Sequence, residues 1–319
     1  MRAVYLEGRP TLRTDYPDPR PSVGECLIRV HLAGICATDL HLIDGYLSFR
    51  GVLGHEMVGT VIHGSPAWRG QRVVAEINCV CRQCDMCHSG LANHCRKRTV
   101  MGIVGRDGCF ADMVAMPEHN LHVVPEGVSD EQAVFAEPLA AAFQVLAQCP
   151  IEARQSVTVV GSGRLGILVA QVLAATGCKL TVVGRNATKL TLLEKRGIQT
   201  FHVDELTPRR DRDVVVECSG SPKGLELAMR LVRPRGTIVL KSTHAGSTGP
   251  NLAGIVVDEV RVIGSRCGPF GEALDALARQ AVDVTSMITR TMPLEQALAA
   301  FDTVRRPETL KILLKVGSR

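Results

Sequence analysis

Apolar positions recur along this chain with two different periods. From Ser156 onward, short runs of β-branched and aliphatic residues alternate with segments whose apolar positions repeat every three to four residues. The runs predict strands at 157–160, 179–183, 199–203, 213–217, 236–240 and 260–264, and the longer period predicts helices at 164–175, 187–196 and 222–232. Strands alternating with helices predict a doubly wound parallel sheet, an α/β fold. A tail with helical stretches near 271–281 and 294–303 and a strand at 309–316 follows. The first part of the chain reads differently. Val4–Leu6, Glu25–His31 and Met57–Ile62 suggest short strands, with Pro17, Pro19 and Pro21 as breaks. Asp107-Gly108 reads as a turn entering another strand. Ser129 with Gln132 three residues on marks a helix start. Glu137-Pro138 interrupts that helix, and Leu139–Ala147 continues as an apolar one.

One stretch organises the second half. Val157-Thr-Val-Val runs directly into Gly161-Ser-Gly-Arg-Leu-Gly166, and the first predicted helix follows. A Gly-x-Gly-x-x-Gly is a weak signal alone, but strand, glycines, helix and second strand together read as a dinucleotide site. Gly161 serves a tight turn, Gly163 lets backbone approach a pyrophosphate, and Gly166 lets the helix pack on the strand. Ser162, Arg164 and Leu165 fill the loop, whose N–H groups at the helix start hold phosphate. An NAD-specific fold places Asp or Glu at the end of the second strand. Here that strand ends Gly184-Arg185-Asn186. Glycine leaves room for a 2′-phosphate and the guanidinium can bind it, so NADP is expected over NAD. The bland alternative has Arg185 stacking on the adenine or facing solvent, with Asn186 on the ribose.

The chain has 319 residues, enough for two domains, and 45% of them are hydrophobic. Aromatics are only 3% and the net charge is +5, with clusters at Arg96-Lys97-Arg98 and Arg209-Arg210. That composition argues against a nucleic-acid stacking surface. No apolar run is long enough to span a bilayer, and the charged start, Met1-Arg-Ala-Val, is not a signal peptide. Twelve cysteines without an export signal suggest metal ligands and buried thiols in a cytoplasmic protein.

Four of those cysteines carry a specific signal. Cys81, Cys84, Cys87 and Cys95 have the spacing C-x2-C-x2-C-x7-C, which matches a closed tetrahedral zinc site pinning a loop of few apolar residues. Cys79 falls outside the spacing, and His88 and His94 are lesser substitutes. Upstream lie Gly34-Ile-Cys-Ala-Thr-Asp-Leu-His41 and Gly54-His-Glu56. A Cys, a His and acids in this arrangement could form one zinc site on folding. Taken singly, Cys36 reads equally as a small buried hydrophobe, His55 as a turn histidine and Glu56 as a solvated charge. Glu137, among apolar neighbours, is either a helix-surface acid or a buried group needing a partner or a metal.

In order along the chain, Gly34-Ile-Cys-Ala-Thr-Asp, Gly54-His-Glu, the four-cysteine lobe, Gly108-Cys-Phe-Ala-Asp, Ala136-Glu-Pro-Leu-Ala and the Gly161 fingerprint resemble the zinc-dependent medium-chain alcohol dehydrogenases. Within them the resemblance is to the sorbitol, threonine and glucose dehydrogenase branch, and it covers nearly the whole chain. It implies a GroES-like catalytic domain from residues 1–145 and 268–319, with a structural zinc lobe at 79–96. A Rossmann domain at 146–267 is inserted, with the active site in the cleft. It further implies two zinc ions per chain. Cys36 and His55 are then catalytic zinc ligands. Glu137 occupies the place where many such enzymes have a second cysteine and this branch often has an acid. Glu56, after the ligand histidine, binds the metal or stands just behind it. Thr38 matches the hydroxyl that touches the substrate oxygen, and His41 the histidine at the solvent end of a proton relay. Asp39 looks like a residue orienting a ligand.

The activity implied is hydride transfer between an alcohol, polyol or sugar hydroxyl, or the matching carbonyl, and NAD(P). The substrate is a small molecule, with no nucleic acid or membrane partner. The family commonly forms dimers or tetramers, and the apolar strand near 260–264 suits pairing with a second copy. Two other readings compete. A zinc-free quinone or enoyl reductase of the same superfamily conflicts with the Cys36–His55–Glu137 set. A non-catalytic, cofactor-binding redox sensor predicts bound zinc and cofactor without turnover. The stretches from Asp44 to Gly54 and Gly59 to Gln71 look shorter than in many relatives, and no substrate-specific motif is recognisable.

Overall fold

The computed structural model describes residues 1–243 and 252–317. The chain forms two compact units, Met1–Glu137 with Phe270–Arg319, and Pro138–Pro269. These boundaries differ from the expected 145/146 and 267/268. The difference lies in the helix Ala136–Gln148, most of which goes with the second unit. There, Lys241 Nζ donates to Ala141 O at 2.7 Å and Gln148 Nε2 to Gly264 O at 3.2 Å. The sequence predicts that Glu137-Pro138 interrupts a helix begun at Ser129; in the structure the proline interrupts none. The preceding helix, Asp130–Ala133, has already ended, and Pro138 stands in the first turn of the new one. A proline costs nothing there because its missing N–H has no partner in a first turn.

The second unit is a six-stranded, all-parallel sheet. Its order is Gln199–His202, Lys179–Gly184, Ser156–Val160, Arg212–Glu217, Val232–Leu240 and Arg261–Gly264. Central strands are buried on both faces, which is why Val157, Val159, Val182, Val215 and Val239 read as continuous apolar runs. The sheet reverses direction of growth beside Ser156–Val160, where a doubly wound fold binds its ligand. Gly161 sits there at φ +114°, a backbone region that favours glycine, and a Cβ on Gly166 would overlap Gly161 O.

The first unit is built on a seven-stranded sheet around the long strand Glu25–Gly34. That strand pairs antiparallel with Glu56–His63, Met113–Pro117 and Lys311–Lys315. Its end is a convergence point, since Gly34 pairs with Glu56 on one side and Leu313 on the other. Three segments far apart in sequence are thereby fixed side by side, Glu56 and Leu313 each one strand spacing from Gly34. The expected strand at Val4–Leu6 forms as Ala3–Glu7; the strand Arg9–Arg13, which closes a hairpin with it, and the strand Ile288–Pro293 beside Lys311–Lys315 are additions to the elements legible in the sequence. At Ser129 the expected capping box forms, with Gln132 N donating to Ser129 Oγ at 3.3 Å and Ser129 N to Gln132 Oε1 at 2.9 Å.

Candidate metal centres and cofactor turn

Cys36 ends the strand-to-helix turn after Gly34 and caps the helix Ala37–Ile43. Its backbone N–H donates to Asp39 Oδ2 at 2.8 Å, which fixes the first turn. Asp39 is fully buried, and its other oxygen lies 3.3 Å from His55 Nδ1. That contact is within ion-pair reach but out of hydrogen-bond alignment, leaving both atoms without a conventional partner. Glu56 follows His55 into the strand and is 1% exposed. Ligand atoms of Cys36, His55 and Glu56 all lie within 4.8 Å of one another. Burial opposes charge on His55, yet the Asp39 carboxylate and Cys36 outweigh it and raise the imidazole well above its ordinary value. A buried nest of anionic donors that stabilises positive charge is suited to a dication. A carboxylate behind a ligating imidazole is the usual orienting arrangement.

Glu137 is not in that cluster; it is half-buried at the start of its helix. Glu56, the acid next to the histidine, is the one that converges. Thr38 is half-buried with Oγ1 3.7 Å from Cys36 Sγ. His41 is exposed one helical turn further on, edge-on to Tyr46 with ring centroids 6.4 Å apart.

Sequence reasoning missed Lys311. Its side chain is 2% exposed and its ammonium contacts Glu56 Oε2. A signal existed: a lysine followed by Ile312-Leu313-Leu314 is a charge inside an apolar strand.

The four-cysteine lobe is compact. Sγ–Sγ separations are 3.4 Å for Cys81–Cys95, 3.6 Å for Cys84–Cys87 and 3.8 Å for Cys84–Cys95. A tetrahedron with metal–sulfur bonds of about 2.3 Å has edges of roughly 3.8 Å, so the thiols fit zinc. Backbone N–H groups of Arg96 and Cys87 pull the Cys84 thiol down to about 6, and the Cys81 N–H lowers Cys95. His88, His94 and Cys79 are not in the cluster.

In the cofactor turn, Gly163 precedes the helix Arg164–Ala174 and has open space where its Cβ would stand. Gly184 is crowded instead. A Cβ there would overlap Ser162 Oγ, reach 2.7 Å from Ser162 Cβ and 3.0 Å from Leu190 Cδ2. No larger residue fits without moving Ser162, which is itself buried. Arg185 is exposed, and its carbonyl accepts from His202 Nε2 at 3.0 Å. Asn186 Oδ1 accepts from Lys189 N at 3.1 Å, so this side chain caps the helix Ala187–Glu194.

Comparison with known proteins agrees with this construction. Residues 22–126 match the model of the alcohol dehydrogenase GroES-like domain, and residues 165–283 that of zinc-binding dehydrogenases. A sorbitol dehydrogenase of Halalkalibacterium halodurans is 29% identical over 93% of both chains. An L-threonine 3-dehydrogenase of Pyrococcus abyssi is 30% identical over 81% of this chain and 79% of its own. The structure of a zinc-binding dehydrogenase from Sinorhizobium meliloti, bound to NADP, superimposes with a TM-score of 0.90 at 29% identity, covering 99% of each chain. The chain belongs to the zinc-dependent medium-chain alcohol dehydrogenases, oxidoreductases with a GroES-like domain and a Rossmann-type nucleotide domain.

Proposed function

We propose that this enzyme oxidises a hydroxyl of a small alcohol, polyol or sugar, or reduces the matching carbonyl, at a zinc held by Cys36, His55 and Glu56, with NADP as the preferred nicotinamide. The observation that carries the reading is the convergence of those three side chains, with Asp39 against the histidine. When bound, zinc supplies a Lewis acid that eases loss of the hydroxyl proton, and the nicotinamide takes the hydride. The chain's own residues then handle the proton. The Thr38 hydroxyl, beside Cys36, relays it, passing its own proton on as it accepts the substrate's, and His41, exposed one helical turn further along, is the group that releases a proton to water. Glu137 is a reserve acid of the same unit, outside the converged set.

NADP is favoured because Ser162 occupies the space an acidic residue at 184 would need, while Arg185 is exposed beside it. The four-cysteine lobe takes the second zinc. Assembly as a homo-oligomer is supported by the edge strand Arg261–Gly264, which has one neighbour in its sheet, and by exposed Val256, Val257 and Val262 near it. Twelve cysteines, four of them grouped as a metal site, suit a reducing, cytoplasmic setting. Among the described residues no helix is long and apolar enough to cross a membrane.

A panel of alcohols, polyols and aldoses, followed at the nicotinamide absorbance with each cofactor, tests the function. Turnover is expected with a polyol or sugar and is lost in folded Cys36→Ser protein. Turnover surviving Cys36→Ser would contradict the assignment.

A further inference from the structure

Lys311 is a cation where the fold offers almost no water. It stands between Leu310 and Ile312, 5% and 0% exposed, at the start of a strand whose first four residues are buried and whose last, Lys315, is exposed. Its ammonium has three neighbours: a carboxylate oxygen of Glu56, the Ile35 carbonyl at 3.4 Å, and the Phe135 ring, whose centroid is 5.5 Å away. The backbone is shaped to permit this. Gly34 pairs with both Glu56 and Leu313, and a Cβ on Gly34 would overlap Glu56 Oε2 and lie 3.3 Å from Lys311 Nζ. Removing that one methyl group is what lets acid and ammonium meet.

We propose that Lys311 is a positioning residue of the metal site, holding one oxygen of Glu56 so that this acid offers zinc a single, weakened donor, and thereby setting how tightly the metal is kept. The inference rests on the reading of Cys36, His55 and Glu56 as ligands. Charge explains why such a residue is useful. Thiolate Cys36 and the carboxylates of Glu56 and Asp39 carry three negative charges around a neutral imidazole. Zinc leaves that set one charge negative, and Lys311 brings it to zero. A buried carboxylate has two oxygens that need partners, and the ammonium claims one. Removing Lys311 takes away a cation that repels the dication and a partner that competes with it for the Glu56 charge. Both effects bind zinc more tightly. An ammonium that served packing alone would change neither.

The test uses the zinc-loaded enzyme and excess chelator, following zinc release in time. Two phases are expected, a faster one from the Cys36–His55–Glu56 site, open because three protein ligands leave a position for substrate, and a slower one from the four cysteines. Lys311→Met should slow the faster phase by about tenfold or more, the size of effect typical of residues behind metal ligands. Lys311→Arg keeps the charge and should stay within about threefold of the parent. In a Glu56→Gln background, Lys311→Met should change release by less than about threefold, because its effect runs through the carboxylate. Thermal unfolding gives a second readout: Lys311→Met should lower the transition of the stripped protein by about 10 °C and that of the loaded protein by less than half as much. An unmoved or accelerated fast phase, an equal effect in the Glu56→Gln background, or equal thermal losses would overturn the inference. A parent enzyme releasing zinc from the four cysteines alone would instead overturn the reading of the open site, and this inference with it.

Discussion

Cofactor choice can be perturbed at one residue and checked at a second. Arg185 is exposed at the end of the strand Lys179–Gly184, with its carbonyl pinned by His202. A guanidinium hydrogen-bonded to a phosphate contributes about 1.5–3 kcal/mol, or roughly ten- to hundredfold. Arg185→Ala should therefore lower kcat/KM for NADP by that factor and change the value for NAD by less than about threefold. The converse change is sterically specified. Gly184→Asp alone collides with Ser162, so it should cost about 1–3 kcal/mol and bind neither cofactor well. With Ser162→Gly added, both close contacts disappear and the contact with Leu190 Cδ2, at 3.0 Å, remains. The double variant should recover stability and prefer NAD, its new carboxylate accepting from the ribose 2′-hydroxyl and repelling a 2′-phosphate. Steady-state kinetics with both cofactors and thermal melts supply the readings. Equal losses with NADP and NAD in Arg185→Ala, or full stability in Gly184→Asp alone, would refute the reasoning.

Other outcomes follow from the same geometry. Cys84→Ser should open the closed lobe, lowering the thermal transition by more than about 10 °C, whereas Cys36→Ser should abolish turnover with a transition close to the parent's. Calorimetry of both variants checks the contrast. Asp130 accepts from His31 Nδ1 at 2.8 Å and from Arg72 at 3.0 Å, and these partners hold its carboxyl below the ordinary range. A depressed acid contributes stability above its unfolded value, near pH 4, which is lost as pH falls through the folded value. Asp130→Asn should thus cost about 1 kcal/mol at neutral pH and flatten the acid limb of the stability curve; parallel curves would contradict this. Light scattering at micromolar concentration should give a mass of at least two chains, and a charged residue at Val262 should lower it.

The nucleotide unit was legible because its signals are local. Fully buried parallel strands are written as apolar runs, and each helix between them carries its own period. The four cysteines were legible for the same reason, lying within one short loop. The candidate site at Cys36 was legible only in part: Cys36, His55 and Glu56 all stand out in the sequence, but it offers Glu137 as well, and only strand pairing, Gly34 against Glu56, brings one of the two acids into the cluster. Lys311 joins from the far end of the chain through the register of Leu313 with Gly34. The strand Ile288–Pro293 escaped notice because only Met292 among its six residues is buried, leaving no alternation to read.

Zinc content measured together with turnover tests the central claim most directly. Fresh enzyme should hold two zinc ions per chain. Mild chelation should remove one of them, and polyol oxidation by NADP should disappear with it and return on adding zinc alone. Full activity in enzyme holding a single zinc, or undiminished turnover after that ion is gone, would contradict the account.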